Sequence, residues 1–140
     1  MNERERLNKI TEEIIGTAIE VHRVVGLGLL ESAYEACLVF EFRERGLKVE
    51  QQKPLPVIYK TVRLDCGCRL DIVVESAVIV EIKAGERLNS IHEAQLLSYL
   101  RLYGCKLGLL VNFHVPMLKN GIRRVVNEFP DSAISANSAV

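Results

Sequence analysis

The 140-residue sequence predicts a single α/β domain, in which a central mixed β-sheet is flanked by helices. The length is sufficient for one domain with an ordinary hydrophobic core. The composition, 49% hydrophobic and 26% charged, is typical of a soluble globular protein. The hydrophobic pattern changes along the chain from a helical period to strand-like alternation and back, which indicates that helices and strands occur together.

Two helices are predicted before the first strand. The first spans residues 7–25, where apolar side chains recur at helical spacing: Ile10, Ile14, Ala18, Val21 and Val25. Gly26 and Gly28 break this helix, because glycines so close together favour a turn. The second helix spans residues 29–45 and ends at Gly46, a residue type that favours helix C-termini.

The middle of the chain is predicted to form four strands, at residues 47–52, 55–62, 68–75 and 77–83. Pro54 and Pro56 place the second strand at a sheet edge or an entry turn. The third strand alternates, with Leu70, Ile72 and Val74 on one face and Arg69, Asp71 and Val73 on the other. The fourth is rich in β-branched residues, as expected for a central strand covered on both faces.

A third helix and two further strands complete the predicted domain, residues 1–127. The helix spans residues 90–103, with a capping box formed by Ser90 and Glu93 and an end at Gly104. A buried strand at 107–113, a loop at 114–121 and a short strand at 122–127 follow. The small polar residues of 128–140 predict a flexible C-terminal tail.

Charge and hydropathy exclude several classes of protein. Eighteen basic residues balance eighteen acidic ones, which argues against a protein that coats nucleic acid electrostatically. This balance still permits an enzyme that meets a phosphodiester in a local cleft. No apolar run is long enough for a membrane span, and the charged N-terminus lacks the apolar segment of a secretory signal. We therefore expect a cytoplasmic protein without a membrane partner.

The cysteines allow a zinc site but do not favour one. Cys66 and Cys68 form a C-x-C pair that Cys105 or His114 could complete. The usual zinc patterns are built on C-x2-C pairs, which this spacing does not match. Buried or strand-end thiols in a reducing compartment are the preferred interpretation.

Three charged residues interrupt the apolar strands at positions that the predicted pairing brings together. Glu81 and Lys83 are two residues apart on the central strand and point to the same face. If a short turn at 75–76 joins the strands, Asp71 lies near Glu81. Two adjacent carboxylates repel unless a cation lies between them, and hard oxygen ligands suit magnesium or manganese. A structural ion-pair cluster, in which Lys83 neutralises both carboxylates, is an equally good interpretation of these residues alone.

These three residues resemble the motif of the PD-(D/E)XK nuclease superfamily, although Leu70 stands where the superfamily name has a proline. Three upstream residues match the signature of the GxxExxY family within that superfamily: Gly28, Glu31 and Tyr34. The match continues in the preceding segment at 18–22 and in the downstream Gln-x-x-x-Tyr pattern of Gln95 and Tyr99. The resemblance extends from about residue 10 to residue 127. It implies a restriction-endonuclease-like core of order α-β-β-β-α-β.

The resemblance also implies a role for each matched residue. Asp71, Glu81 and Glu31 are expected to bind the metal, helped by the backbone carbonyl of Ile82. The expected catalytic residues are Lys83, Glu31 and Gln95. Lys83 would hold or help to deprotonate the attacking water, and Gln95 would touch a phosphate or a metal-bound water.

Five further side chains are assigned supporting roles around this site: Tyr34, Tyr99, His22, His92 and Arg69. The spacing of His92, Gln95 and Tyr99 predicts a polar stripe on the third helix, which faces either the cleft or solvent. Tyr34 is expected to pack and to hydrogen-bond to the metal carboxylates. His22 lies at the margin of an apolar face, where a half-buried histidine is favoured over a catalytic one.

The function implied by the resemblance is that of a divalent-metal-dependent, nuclease-like hydrolase. It would use Mg²⁺ or Mn²⁺, cleave phosphodiester bonds of DNA or RNA, and act as a homodimer. Two alternatives stay open. One is a catalytically silent nucleic-acid or protein-interaction module on the same fold, and the other is a phosphohydrolase of small nucleotides.

Overall fold

Three α-helices, one 3-10 helix and seven strands occur in the described chain, which comprises residues 1–85 and 87–130 of a computed structural model. The α-helices are α1 (Glu3–Val25), α2 (Glu31–Glu44) and α3 (Ser90–Tyr103). The strands are β1 (Val49–Pro54), β2 (Val57–Tyr59), β3 (Val62–Leu64), β4 (Arg69–Val74), β5 (Val78–Lys83), β6 (Leu107–Asn112) and β7 (Ile122–Val126). The 3-10 helix, Leu118–Gly121, lies in the loop between β6 and β7.

Five of the strands form one mixed sheet in the order β1-β4-β5-β6-β7. Strands β5 and β6 run parallel, because α3 connects them as a crossover, and the other neighbours are antiparallel. The β4–β5 turn at Glu75 and Ser76 has positive φ angles of 55° and 53°, as a type I′ hairpin turn requires. The predicted α/β domain with a central mixed sheet flanked by helices is therefore confirmed.

Apolar side chains cover both faces of this sheet. On one face, α1 and α2 pack through residues such as Ile14, Leu38 and Phe42 against alternate residues of β4, β5 and β6. On the other face, Leu96 and Leu100 of α3 pack against the remaining apolar positions of the same strands. The central strands are buried from both sides, which explains their nearly continuous apolar sequence.

The segment predicted as one strand at 55–62 forms a separate hairpin. The segment contains β2 and the turn, and β3 begins at its last residue, Val62. These two strands pair only with each other. Lys60 takes a φ of 57° at the turn between them, a left-handed conformation that suits a tight hairpin turn. The prediction of a single strand was wrong because a turn with neither glycine nor proline at its centre carries no breaker signal.

The first turn of α3 also differs from the predicted capping box. Asn89 is the N-cap, and its side chain accepts hydrogen bonds from the amides of Ile91 and His92. His92 returns a bond, because its Nδ1 accepts from the Asn89 amide at 3.1 Å. Ser90 and Glu93 therefore do not form the box. The helix bounds are as predicted, whereas the capping pair lies one residue earlier.

The predicted alternation of side chains between the two faces of the sheet does not extend to the first residues of β4. Ile72 and Val74 pack on the α1–α2 side, but Leu70 packs with Val73 on the α3 side. The pairing of β4 with β5 reaches only to Ile72, so the beginning of β4 is free to turn away from a regular strand. This change of face occurs at Asp71.

The described end of the chain packs on the domain. Phe129 lies beneath the guanidinium groups of Arg4 and Arg124, at 5.4 Å and 4.7 Å from the ring centroid. Arg4 also donates a hydrogen bond to the Pro130 carbonyl at 3.0 Å. The rest of the predicted tail, 131–140, lies outside the described residues. No helix within the described ranges has the length and apolar character that a membrane crossing requires.

Candidate active site

Asp71 on β4 and Glu81 on β5 lie together where the two strands stop pairing. The register in which Ile72 faces Val80 places Asp71 opposite Glu81 when it is continued by one residue. At this position the carboxylates bind backbone amides. Glu81 Oε2 accepts from the Asp71 amide at 2.7 Å, and Asp71 Oδ2 accepts from the Ile82 amide at 2.8 Å. The two side chains thus hold the diverging strands and bring two carboxylates side by side.

Both of these carboxyl groups resist ionisation. Burial, followed by the negative charge of Asp71, raises the pKa of Glu81 to about 8. Burial is also the main cause of the raised pKa of Asp71, to which the Glu31 carboxylate adds. The Ile82 amide and the Lys83 ammonium act in the opposite direction on Asp71. Paired carboxyl groups with raised pKa values are a feature of functional sites.

Lys83 lies two residues after Glu81 on the same strand and is half-buried. Its charge lowers the pKa of both carboxyl groups, but less than burial raises it. None of the ion pairs formed within the described part of the chain includes Lys83. The structural ion-pair interpretation requires direct contact between Lys83 and the carboxylates, and this arrangement does not provide it.

Glu31 reaches the same end of the sheet from the first turn of α2. Its carboxylate accepts a hydrogen bond from the Ala84 amide, directly after β5, at 3.3 Å. Its charge contributes to the raised pKa of Asp71. Two residues separated by forty positions in sequence, Glu31 and Asp71, are therefore electrostatic neighbours.

Tyr34 builds the turn that positions Glu31. Its hydroxyl donates to the Gly26 carbonyl at 2.6 Å and accepts from the Leu29 amide at 3.3 Å. Its fully buried ring stacks on Phe113, with centroids 4.3 Å apart. Gly28 takes a φ of 96° in this turn, a conformation that favours glycine. The predicted hydrogen bond from Tyr34 to the metal carboxylates is not formed, because the turn uses the hydroxyl.

Three polar residues that the sequence analysis did not assign complete the surroundings of Asp71. Glu35, only 8% exposed on α2, accepts from Gln51 Nε2 at 2.7 Å and from Gln52 Nε2 at 2.8 Å. Gln52 Nε2 also lies 3.4 Å from Asp71 Oδ1. Adjacent strand residues normally point to opposite faces, but the φ of 50° at Gln52 lets both glutamines reach Glu35. The spacing of Glu35 from Glu31, one helical turn, was the available signal.

Helix α3 contributes two of its three predicted polar residues to this region. Tyr99 is half-buried, and its pKa is raised by burial and then by the charges of Glu81 and Asp71. The exposed Gln95 lies beside Tyr99 and acts in the opposite direction on the pKa of its hydroxyl. His92 is used in the helix cap instead, so the predicted stripe is shortened by one residue.

The remaining predicted residues support backbone segments. His22 Nε2 lies 2.8 Å from the Val115 carbonyl and fastens the β6–β7 loop to α1. Arg69 is exposed and donates to the Gln52 carbonyl at 3.3 Å, next to the left-handed position in β1. Neither contact involves a carboxylate of the site.

The donor atoms fit a divalent cation held mainly by two carboxylates. Asp71 and Glu81 supply hard oxygens, and Mg²⁺ commonly binds through one or two carboxylates while keeping several waters. In residues 1–85 and 87–130, no three Asp, Glu, His or Cys side chains are grouped as a metal site. Glu31 is close enough to raise the pKa of Asp71, but it is not grouped with Asp71 and Glu81 in a three-residue set there, and its role as a third ligand stays a prediction. The zinc site that the cysteines allow but do not favour likewise has no such group in these ranges, and the cysteines there are free.

Comparison with known proteins identifies the family. The model of the PD-(D/E)XK nuclease superfamily matches residues 8–125, which include most of α1, the whole of α2 and α3, and the site. No curated protein and no solved structure matches the chain significantly. Members of this superfamily generally use divalent metal ions and act on nucleic acid. The matched region covers most of the sequence, and the chain therefore belongs to the PD-(D/E)XK nuclease superfamily.

Proposed function

We propose that this protein is a divalent-metal-dependent nuclease that hydrolyses phosphodiester bonds of DNA or RNA, with Mg²⁺ or Mn²⁺ as cofactor. The observation that carries the proposal is the juxtaposition of Asp71 and Glu81. Two partly buried carboxylates face each other without a contacting counter-cation from the described residues. A bound divalent cation would relieve this repulsion, which the Lys83 ammonium and the backbone amides offset only in part, because burial and the neighbouring charges still raise the pKa of both carboxyl groups.

Asp71, Glu81 and the Ile82 carbonyl would hold the cation. When bound, it supplies Lewis-acid polarisation of the phosphodiester and lowers the pKa of water. The protein's own residues do the rest. The Lys83 ammonium orients the attacking water and offsets negative charge that develops on the phosphate oxygens. In the balanced reaction the water oxygen bonds to phosphorus, one P–O ester bond breaks, and the leaving oxygen takes a proton.

The surrounding residues would position these groups. Glu31 fixes the end of β5 through the Ala84 amide, and Glu35 orients Gln52 beside Asp71. Gln95 and Tyr99 border the site from α3, where an amide and a hydroxyl can donate to a phosphate oxygen. We also propose that the chain belongs to the GxxExxY family. The turn before α2 supports this, because two signature residues, Gly28 and Tyr34, form it and the third, Glu31, is positioned by it.

A cleavage screen tests the proposed function. Single-stranded, duplex and branched DNA and RNA, each fluorescently labelled, are incubated with Mg²⁺ or Mn²⁺ at low salt. We expect cleavage that EDTA abolishes and that Glu81→Gln or Asp71→Asn eliminates. Lys83→Met should reduce it by about 10²–10³-fold, the usual cost of losing one transition-state contact. Glu12→Gln, an exposed carboxylate on α1, is the matched control and should cleave like the wild type.

Two outcomes of this screen would favour the alternatives. Binding of a nucleic acid without turnover in either metal would identify a silent interaction module. Hydrolysis of mononucleotides without cleavage of any polymer would identify a small-nucleotide phosphohydrolase. Either result overturns the proposal of a nuclease.

We propose in addition that the protein acts in the cytoplasm as a homodimer. An apolar cleft of about 290 Å³ between α1 and α2 supports dimerisation, and two side chains on its border, Val24 and Phe40, are 64% and 61% exposed. Burying this surface against a second copy would remove it from water. Phe40→Glu should lower the mass measured by light scattering to that of a monomer. Leu102→Glu on α3 is the control and should leave the mass unchanged.

A further inference from the structure

A second polar pocket lies beside the carboxylate site, at the ends of the parallel strands β5 and β6. Its volume is about 340 Å³. It lies between the segment after β5, the end of β6 and the loop that leads to β7. Its lining includes Arg87, Asn112, His114, Asn120 and Arg123. No described lining residue is acidic, although the whole chain is electrically neutral.

The sheet register relates this pocket to the carboxylate site. Glu81 pairs with Leu110, and Leu110 pairs with Arg123, so the three residues form one row across the sheet. Paired residues point to the same face, which places Arg123 on the side of Glu81. Neighbouring strands are 4.7–4.9 Å apart, so the two backbone positions are separated by about 10 Å. Lys83 pairs in turn with Asn112, which lines the pocket.

The loop that forms the pocket wall is held at three points. A Cβ atom on Gly121 would lie 2.3 Å from the Asn112 carbonyl oxygen, so only glycine permits this close approach. The Asn112 side chain accepts a hydrogen bond from the His114 amide at 3.1 Å. His22 fastens the loop from α1 through the Val115 carbonyl. The wall is thus fixed relative to the sheet, and His114 and Arg123 border a preformed recess.

The chemistry of the lining selects its ligand. Guanidinium groups match two oxygens of a phosphate with paired N–H donors, and an imidazole N–H can add a third. Asn120 offers an uncharged amide donor. Without a described acidic neighbour, these groups attract an anion, and a neutral protein gains local affinity for nucleic acid here.

We propose that Arg87, His114 and Arg123 form a phosphate-binding site for the nucleic-acid backbone, which holds a phosphate about three nucleotides away from the one that is cleaved. This inference rests on the proposed nuclease function. The separation of about 10 Å corresponds to roughly three rises of 3.4 Å along one strand. This contact would fix the position of the nucleic-acid strand where it crosses β5 and β6. The bond to be cleaved would then lie at the Asp71 and Glu81 carboxylates.

Salt-dependent binding tests the site separately from cleavage. The affinity of a short fluorescein-labelled oligonucleotide is measured by anisotropy in EDTA over a series of NaCl concentrations. Each lost phosphate contact lowers the slope of log Kobs against log [NaCl] by about 0.7–0.9. We expect Arg87→Gln with Arg123→Gln to weaken binding and to reduce the slope by one to two such steps. Arg123→Lys, which keeps the charge, should keep most of the slope.

Arg124→Gln is the matched control, and melting curves check that each variant is folded. Arg124 follows Arg123 on β7, but it hydrogen-bonds to Asn8 at 3.0 Å on the opposite face. Its replacement should leave the slope unchanged. The proposal is overturned if the double variant binds with the wild-type slope while the wild type cleaves. It is also overturned if inorganic phosphate raises the wild-type melting temperature, the double variant loses this response, and oligonucleotide affinity stays the same. Absence of both oligonucleotide binding and cleavage by the wild type would overturn the proposed function as well.

Discussion

Strand β5 has two halves of different character. Its first half, the three residues 78–80, is entirely apolar and buried, and it pairs in register with β4. Its second half carries Glu81 and Lys83, and the regular pairing with β4 has already ended there. Both halves keep their parallel pairing with β6. A single strand therefore combines a regular core segment with a segment whose neighbouring amides are bound by carboxylates.

The difference shows how a small domain can hold charged groups in its interior. The apolar half is stabilised by burial, which depends on the area removed from water. The charged half loses hydration and gains hydrogen bonds from the amides of Asp71 and Ile82, which satisfy the carboxylates without neutralising them. We infer that the first half stabilises the fold, whereas the second is less stable without metal than an apolar sequence would be.

The pH dependence of stability should reveal the cost of the charged half. The pKa of Glu81 is about 8 in the folded protein, against 4.5 for the ordinary group. The folded state therefore binds an additional proton between these values, and metal-free stability falls as the pH rises through this range. At about 1.36 kcal/mol per pKa unit, the fall is up to about 5 kcal/mol. Urea unfolding of the protein in EDTA at several pH values measures it.

Glu81→Gln is the comparison for this pH series. Its unfolding free energy should change much less with pH, since the residue with the largest pKa shift no longer titrates. An equally steep curve for this variant would show that another group causes the dependence. A wild-type stability that rises between pH 5 and pH 8 would contradict the assigned direction.

A cavity in the apolar half of β5 should lower the free energy of unfolding at every pH. Ile79 is fully buried on the α3 side of β5, and Ile79→Ala should lower the unfolding free energy by about 3 kcal/mol. Ile91→Ala, at a position 72% exposed on α3, should cost far less. Denaturant titration checks both variants. A loss below about 1 kcal/mol for Ile79→Ala would contradict the structural role assigned to this half.

The turn before α2, which positions Glu31 near the charged half of β5, should contribute less to the free energy of unfolding. Tyr34→Phe keeps the stacking on Phe113 but removes the hydrogen bonds to Gly26 and Leu29. The expected loss of stability is about 1–2 kcal/mol, because the partly buried Gly26 carbonyl loses its donor. Cleavage should fall further than stability accounts for, since Glu31 is positioned by this turn. Unchanged cleavage in a destabilised variant would remove Tyr34 from the positioning residues.

The smallest effect is expected at His22. His22→Ala removes one hydrogen bond to the Val115 carbonyl, and the stability should fall by about 1 kcal/mol. If the role of His22 is to hold the β6–β7 loop in place, the oligonucleotide affinity should fall. The rate at which bound substrate is cleaved should stay constant. Single-turnover cleavage separates these two quantities. A loss of rate at saturating enzyme would instead indicate a role in catalysis.

Much of the fold follows from local patterns in the sequence. The period of the apolar residues predicts all three helices and the central strands, because burial on one or two faces dictates that period. The hairpin of β2 and β3 was missed, since the left-handed Lys60 gives no residue-type signal. The cap of α3 was misplaced because Asn89 and Ser90 are both good N-cap residues.

From strand register alone the site could be predicted only where the sequence distance was short, whereas the proximity of Glu31 was predicted from the family resemblance. Asp71 and Glu81 are joined by one hairpin, so their proximity follows from register. The contacts of Glu35 with Gln51 and Gln52 depend on a left-handed residue in β1 and on how α2 crosses the sheet. Neither feature has a local signal. The task of Tyr34 was mistaken for the same reason, since its hydroxyl is taken by a turn that only the folded chain defines.

Thermal melts of the wild type and Glu81→Gln, with and without Mg²⁺, test most directly the claim that Asp71 and Glu81 form a cation site. At pH 8 we expect Mg²⁺ to stabilise the wild type, by about 2.7 kcal/mol at a hundredfold excess over Kd. Glu81→Gln should melt at or above the temperature of the metal-free wild type and should respond little to Mg²⁺. A large loss of stability in Glu81→Gln, together with a wild type that does not respond to Mg²⁺ or Mn²⁺, would contradict the cation site and favour a structural ion pair with Lys83.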